Sequence, residues 1–154
     1  MKKFKIGRPS KKAVVGTVLL ILLVAVAVVG CSKLRGDQSI SFTAVSENEL
    51  PTLLVDEILP EYKQLERALA CIVDENIYVI ATRGEKTTSG YGVQIQKITM
   101  EENDGLYKMT VYVLFTDPAN DSLLTQELTY PYEVVLTELE LLPDEIELKV
   151  QYND

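Results

Sequence analysis

The sequence contains no histidine and no tryptophan, and it has only two cysteines among 154 residues. Without histidine the chain lacks the usual general base and the commonest transition-metal ligand, so every Ser-His or Cys-His catalytic arrangement is excluded. A glycine-rich phosphate loop is also missing. Its acidic residues are scattered singly or as sequence neighbours, and neighbouring side chains diverge on a helix or a strand. We therefore predict a protein that is not an enzyme and that uses no cofactor and no metal.

Positive charge is scarce after the first thirty residues. The chain has 15 Lys and Arg residues, and six of them lie within positions 1–30, where there is no acid at all. From Cys31 onward nine basic residues face 23 acidic ones, which leaves a formal charge of −14. A body this acidic repels nucleic-acid phosphates and anionic lipid headgroups alike. We expect a protein partner and no nucleic acid.

A charge-free run over residues 13–30 lies between a basic segment and Cys31. It resembles a bacterial lipoprotein signal peptide, in which "VVGC" (residues 28–31) makes Cys31 the residue that receives the lipid. The run is longer than the 7–15 residues of a typical signal core. As a helix it would span about 27 Å, close to a bilayer core, so an uncleaved transmembrane anchor is the alternative. Both interpretations predict a domain held at the cell membrane on its extracytoplasmic side.

The chain divides into an N-terminal segment, a tether and one domain. Residues 1–30 are the signal peptide or transmembrane anchor, residues 31–39 are a polar tether without periodicity, and residues 40–154 are the extracytoplasmic domain. Alternating apolar residues predict a first strand over residues 39–46. A spacing of three and four residues after Pro60 predicts an amphipathic helix that covers a sheet. The apolar positions of this helix are Tyr62, Leu65, Leu69 and Ile72.

From residue 77 onward the apolar period changes to two. "IYVIAT" (77–82) is apolar on both sides, as in a central strand, while "YGVQIQKI" (91–98) and "LYKMTVYVLF" (106–115) alternate around the hairpin signal "NDG". Pro131 marks an edge, a bulge or a strand start, because proline cannot donate to a ladder. "EIELKVQY" (145–152) supplies the last strand. We predict an α+β fold: a small, mostly antiparallel sheet or sandwich of five or six strands with one amphipathic helix.

Two blocks of this strand region carry a recognisable pattern, "RGEKTTSGYGVQI" (83–95) and "TQELTYPYEVVL" (125–136). Residues 77–137 resemble the C-terminal domain of the PrcB family, lipoprotein-type subunits of extracytoplasmic protease complexes. The family pattern runs G-E-K-P-T-G-G-Y and later T-Y-P-Y. This chain has Thr87 where proline is usual and Ser89 where the first glycine is usual. The matching positions are Gly84, Glu85, Lys86, Thr88, Gly90, Tyr91, Thr129, Tyr130, Pro131 and Tyr132.

The resemblance implies an accessory subunit whose two blocks contact a secreted protease. Gly90 lets the backbone turn sharply, and Tyr91 shares the parity of Val93 and Ile95, so its ring should face the core. We expect the three residues before Gly90 to be exposed. The predicted partner-binding residues are Thr87, Thr88, Ser89, Gly90, Tyr91, Tyr130, Pro131 and Tyr132.

The same two blocks are also similar, more weakly, to loops of chagasin-type cysteine-protease inhibitors. Those inhibitors use an N-P-T-T-G-Y loop between strands and a proline-aromatic loop near the chain end, and residues 87–91 and 130–132 echo both in order. The sequence thus predicts a membrane-anchored, non-catalytic, protein-binding module. A protease inhibitor and a structural envelope lipoprotein are the alternatives.

Overall fold

The computed structural model of the chain describes residues 37–119 and 123–153. The predicted signal peptide or transmembrane anchor (residues 1–30), the lipidation site Cys31 and residues 32–36 of the predicted tether lie outside the described residues. Gln38 and Ser39, assigned to the tether, already belong to the first strand. Within the described ranges no helix has the length and the apolar character needed to span a bilayer.

Eight strands and one short helical segment make up the described part of the chain. The segment is a π-helical turn, Leu54–Ile58, that runs directly into the α-helix Leu59–Tyr62, called α1 here. A 3-10 turn, Glu47–Glu49, precedes it. The strands are β1 Gln38–Ile40, β2 Phe42–Ala44, β3 Glu66–Val73, β4 Asn76–Arg83, β5 Gly92–Asn103, β6 Leu106–Thr116, β7 Tyr132–Thr137 and β8 Glu145–Asn153.

The strands form two four-stranded sheets. The first sheet has the order β1-β5-β6-β8 and the second the order β2-β7-β4-β3. All neighbours are antiparallel except β6 and β8, which run parallel. The predicted mostly antiparallel, sandwich-like fold with one helix is confirmed. The predicted first strand is in fact two, because the chain crosses from one sheet to the other at Ser41.

Two apolar layers hold the domain together. The larger layer lies between the sheets and contains Val79 and Val135 from the second sheet and Ile98, Val111 and Phe115 from the first, each fully buried. The smaller layer covers the other face of the second sheet, where Leu54 and Leu59 of the helical segment pack against side chains of β4 and β7. Central strand β4 is therefore apolar on both faces, as the sequence predicted.

The predicted helix over Tyr62 to Ile72 is wrong, because most of this stretch is strand β3. Every residue from Glu66 to Val73 pairs with β4. The two alanines of β3 contact the larger apolar layer on one face, and Leu69 and Cys71 contact the smaller layer on the other face. The side chains therefore alternate as in a strand, and both faces of the strand are apolar. Such a run cannot be told from a helix by spacing alone. The helix that covers the sheet lies earlier, with Pro60 in its first turn as expected.

The hairpin between β5 and β6 follows the predicted turn chemistry. Asn103 pairs with Leu106, which leaves the two-residue loop Asp104-Gly105. Both loop residues have positive φ, 52° and 83°, the geometry that a type I′ turn requires and that Asp-Gly tolerates. β6 then alternates as predicted, with Met109, Val111, Val113 and Phe115 facing the core.

Glu133 joins the two sheets through a polar contact. It lies on β7 opposite Ala81, and its Oε2 accepts a hydrogen bond from the Ile95 backbone N–H of β5. The register of β5 against β6 shifts between Ile95 and Lys97, so Gln96 is the extra residue of a bulge. Burial raises the pKa of the Glu133 carboxyl above its ordinary value, and the Ile95 N–H bond opposes that rise.

This pKa shift predicts a pH-dependent stability. Because the folded-state pKa of Glu133 is raised above the unfolded value, the fold binds more protons, and stability falls as pH rises through the window between the two values. Glu133→Gln keeps an acceptor for the Ile95 N–H but cannot ionise. We expect the variant's free energy of unfolding, relative to wild type, to improve as pH rises above about 4.5, measured by urea denaturation at several pH values. A difference that is constant with pH would contradict this.

Candidate recognition edge

Six strand ends meet at one end of the sandwich. β4 ends at Arg83 and β6 at Thr116, next to the starts of β5 and β7, and the parallel partner of Thr116 is Asn153 at the end of β8. β3 begins here too, since Glu66 pairs with Arg83. Both sequence blocks fall at this end. We call residues 84–91 and 125–132 the recognition edge.

The two blocks are hydrogen bonded to each other through their backbones. The Lys86 N–H donates to the Thr129 carbonyl at 2.9 Å, and the Thr129 N–H donates to the Lys86 carbonyl at 2.8 Å, which forms an isolated antiparallel bridge. The Ser89 N–H donates to the Thr125 carbonyl at 3.0 Å. The predicted partner-binding loops, separated by about forty positions in the sequence, are therefore one continuous surface.

Two threonine or serine hydroxyls reinforce the pairing. The Thr129 hydroxyl donates to the Thr88 carbonyl at 2.9 Å, and the Ser89 Oγ accepts a hydrogen bond from the Thr125 N–H at 3.0 Å. Local hydroxyl-to-backbone bonds of this kind fix loop conformation. Thr88 and Ser89 are half-buried, whereas Thr87 is exposed. The expectation that all three would be exposed holds for Thr87 alone, because the paired segment covers the other two.

Two glycines give the edge its shape. Gly84 has φ +73° and Gly90 has φ +93°, a left-handed backbone that favours glycine. A Cβ on Gly84 would lie 3.2 Å from the Gln64 carbonyl oxygen. A Cβ on Gly90 would lie 2.8 Å from the Cβ of Pro118, so the loop presses directly on the segment after β6. The sharp turn predicted at Gly90 is present.

Arg83 is buried beneath the edge, with 4% of its side chain exposed. Its Nη1 donates to the Thr116 carbonyl at 2.6 Å, and its Nη2 is paired with the Asp117 carboxylate. Three aromatic rings surround the guanidinium, at distances from its carbon to the ring centroids of 4.8 to 5.9 Å. The rings are those of Tyr91, Phe115 and Tyr152.

Tyr91 is thus half-buried against a cation and does not lie in an apolar core. Its ring lies 4.9 Å from the Arg83 guanidinium carbon and 5.7 Å from the Lys86 ammonium nitrogen. Contacts of this kind contribute about 0.5–2 kcal/mol, more when water is excluded. The ring therefore anchors the loop from below, while other loop residues, Thr87 and Gly90 among them, are exposed.

The Tyr-Pro-Tyr block is held by side chains from three other segments. The Tyr130 hydroxyl donates to Glu85 Oε2 at 2.9 Å, and the Lys63 ammonium lies 4.8 Å from the centroid of its ring. The bond to Glu85, with some burial, raises the pKa of Tyr130. Tyr132 packs against the smaller apolar layer, and burial, with the nearby Glu47 carboxylate, raises its pKa. The Pro131 carbonyl accepts the Arg83 N–H at 2.9 Å, so the strand starts just after this proline.

The structure thus brings together all eight predicted residues, from Thr87 to Tyr91 and from Tyr130 to Tyr132. Sequence reasoning missed two supporting residues, Lys63 and Arg83, and identified Glu85 only as a position of the family pattern. The sequence did indicate a role for Arg83, since it is a single charged residue at the end of β4, which is otherwise uncharged and buried on both faces. It gave no such indication for Lys63, because the contact of Lys63 with Tyr130 spans 67 positions and depends on where α1 ends.

Comparison with known proteins agrees with the sequence resemblance. The family model described as PrcB C-terminal matches residues 77–138, from the start of β4 to just beyond β7. This range contains both blocks of the recognition edge. No curated protein and no solved structure matches the chain.

Removing the buried Arg83 guanidinium should destabilise the fold more than removing the charge of its partner Asp117. Arg83→Met keeps most of the side-chain volume but removes the charged donor to the Thr116 carbonyl, which should cost about 2–3 kcal/mol of unfolding free energy. Asp117→Asn should cost less than about 1 kcal/mol, because the Asp117 side chain is 59% exposed. Urea denaturation of both variants measures the difference. Equal losses would show that the ion pair, and not the buried donor with its aromatic surroundings, stabilises this end.

Proposed function

We propose that the chain is a non-catalytic accessory subunit that binds a secreted protease, because residues 77–138 match the family model described as PrcB C-terminal. We further propose that it acts on the extracytoplasmic side of the cell membrane, anchored through residues 1–31. The family match supports a role in a protease complex. The charge-free run and "VVGC" in the sequence support the anchor.

The observation that carries the proposal is the pairing of the two family blocks into one edge. Loops that bind partners are best held on rigid strand ends. Here the Lys86–Thr129 bridge and the Ser89–Thr125 bonds fix the loops to each other, and Arg83 fixes them to the sandwich. A preorganised edge loses little conformational entropy on binding, which favours affinity.

Charge also distinguishes this end of the domain. Seven basic residues follow Asp37 in the sequence, and four of them lie at the recognition edge or directly beneath it: Lys63, Arg67, Arg83 and Lys86. The opposite end carries the acidic turns after β3 and β5 and the acidic start of β8, residues 74–75, 101–104 and 144–145. Four acids, Glu66, Glu85, Asp117 and Glu127, also lie at the edge or beneath it, so this end is close to neutral while the opposite end is acidic. An acidic partner would therefore be repelled less by the recognition edge than by the opposite end.

A second candidate function is inhibition of a cysteine protease by the same edge. The observation that favours it is the side-by-side placement of the threonine-rich loop and the Tyr-Pro-Tyr turn, in the order in which chagasin-type inhibitors use two of their loops. Purified chain that slows peptide hydrolysis by papain would support inhibition. A captured protease whose activity is unchanged or prolonged would support the accessory role.

Thr87 is the position at which the binding proposal is tested most directly. It is exposed, so Thr87→Arg should leave the melting temperature nearly unchanged. In a complex the added guanidinium would be buried without a partner, and we expect binding to weaken by about tenfold or more. Photo-crosslinking in intact cells, followed by mass spectrometry, identifies the captured protein, and titration of the purified pair measures affinity.

The matched control is Gln96→Arg, which adds the same charge at the exposed bulge of β5, away from the edge. It should fold and bind like wild type. If both variants melt normally and capture the same partner equally well, the edge is not the docking site. If the wild-type chain and both variants capture no protein, the structural envelope lipoprotein is the better interpretation.

The anchor is tested at Cys31. Cys31→Ala removes the thiol that would receive the lipid, and we expect the precursor to accumulate uncleaved and without lipid. Mass spectrometry of the wild-type protein should find a lipid-modified N-terminal cysteine. An intact first methionine with no lipid, in a protein that still sediments with membranes, would instead establish the transmembrane alternative.

A further inference from the structure

The four outer strands of the two sheets differ in how their open edges are protected. An edge strand exposes unpaired N–H and C=O groups, and proteins protect such edges by keeping them short or by placing charges on them. β1 and β2 are three residues each. β8 is nine residues long, but three charged residues, Glu145, Glu147 and Lys149, alternate along it. These three edges are protected in the usual ways.

β3 is the exception. It has eight residues, all paired with β4 on one side, and within the described part of the chain no strand pairs with its other side. Its charges, Glu66 and Arg67, occupy the first two positions, and residues 68–73 contain neither a charge nor a proline. Ile72 is 54% exposed. An unpaired edge of this length, with six uncharged residues in succession, is suited to accept another strand.

We propose that β3 pairs antiparallel with β3 of a second copy of this chain, around a twofold axis at Cys71. The twofold axis of such a pair is perpendicular to the sheet, and it passes through a position at which one residue faces the same residue of the second copy. Only with this register do the same side chains of both copies lie on the same face of the joined sheet. The central residues of the uncharged run offer three choices, Leu69, Ala70 and Cys71.

Charge selects among the three. An axis at Ala70 places Glu66 opposite Asp74 of the second copy, which is a repulsive pair. An axis at Leu69 places Glu66 opposite Ile72 and Arg67 opposite Cys71, so that both charges lie against uncharged side chains. An axis at Cys71 brings Arg67 opposite Glu75 in the acidic turn of the other copy, places Ala68 opposite Asp74, and leaves residues 69–73 facing one another.

The pairing extends the second sheet from four strands to eight. The acidic turn of each copy then lies next to an arginine, which offsets part of the negative charge of a domain with few cations. Because the strands are antiparallel, the two recognition edges lie at opposite ends of the joined sheet and neither covers the other. Arg67 contributes to the charge of the recognition edge and also lies in the proposed pair, but residues 84–91 and 125–132 take no part in it, so either proposal can fail without the other.

Thiol cross-linking of the full chain tests the pairing and its register. In Cys31→Ser protein in detergent micelles, Cys71 is the only thiol, and a short bis-maleimide should convert most of the chain to a covalent dimer. Burial raises the pKa of the Cys71 thiol, so the reaction is run at mildly alkaline pH. Moving the thiol, with Cys71→Ser and Ala68→Cys, should abolish cross-linking, because an axis at Cys71 separates the two residues at 68 by about 20 Å.

A lysine on the open edge should break the dimer. Ile72→Lys places a charge within the uncharged run, and because Ile72 is 54% exposed the variant should fold with an unchanged melting temperature. The matched control is Leu106→Lys, since Leu106 is 62% exposed and lies far from β3 in the β5–β6 hairpin. Sedimentation should find a monomer for the first variant and a dimer for the second.

Charge exchange gives an independent test of the axis. Arg67→Glu should weaken the dimer by about fivefold or more, and adding Glu75→Arg to it should restore most of that loss. A wild-type chain that sediments as a monomer throughout the micromolar range would overturn the proposal. So would a dimer that survives Ile72→Lys, since its interface would then lie elsewhere, or cross-linking at residue 68 as efficient as at residue 71.

Discussion

The burial of the Arg83 guanidinium is the constraint on which the recognition edge depends. A buried charge is tolerated only when its donors are used and its surroundings are favourable. Here the Thr116 carbonyl and the Asp117 carboxylate take hydrogen bonds, and aromatic rings from the loop and from β6 and β8 cover its faces. One side chain thereby ties together the ends of β4, β6 and β8 and the start of β5.

The conformation of the loop after β4 fits this burial. Because Arg83 draws in Tyr91, the loop after β4 must fold back over the end of the sandwich, and Gly84 and Gly90 supply the two left-handed turns that allow it. Folding back brings residues 86–89 beside residues 125–129, where their backbones pair. The buried polar cluster and the backbone pairing together hold the loop that exposes Thr87, which explains how so small a loop has a fixed shape.

Much of this architecture was predictable from the sequence, and the parts that were not share a cause. The alternation in β5, β6 and β8, the Asp-Gly turn and the strand start after Pro131 are local signals, and local signals were read correctly. The segment of β3 was predicted to be helical because an apolar run with alanines fits either a helix or a strand. Pairing with β4 makes it a strand, and such pairing cannot be read from the local sequence. For the same reason the resemblance located both blocks of the edge, while Lys63 and Arg83, which act across the fold, were missed.

The two departures from the family pattern show what the edge requires. Ser89 stands where the pattern has glycine, and the structure uses its hydroxyl to accept the Thr125 N–H, so the added side chain makes a bond between the blocks. Thr87 stands where the pattern has proline, at an exposed position that makes no side-chain hydrogen bond found in the described part of the chain. Gly84 and Gly90 keep the pattern, and both have backbone conformations that side chains rarely adopt. In this chain Gly84 and Gly90 supply the backbone geometry that joins the two blocks, and Thr87 is the exposed side chain at the tip. If the edge binds a protein as proposed, the side chain at the tip is where specificity for one partner over another can arise.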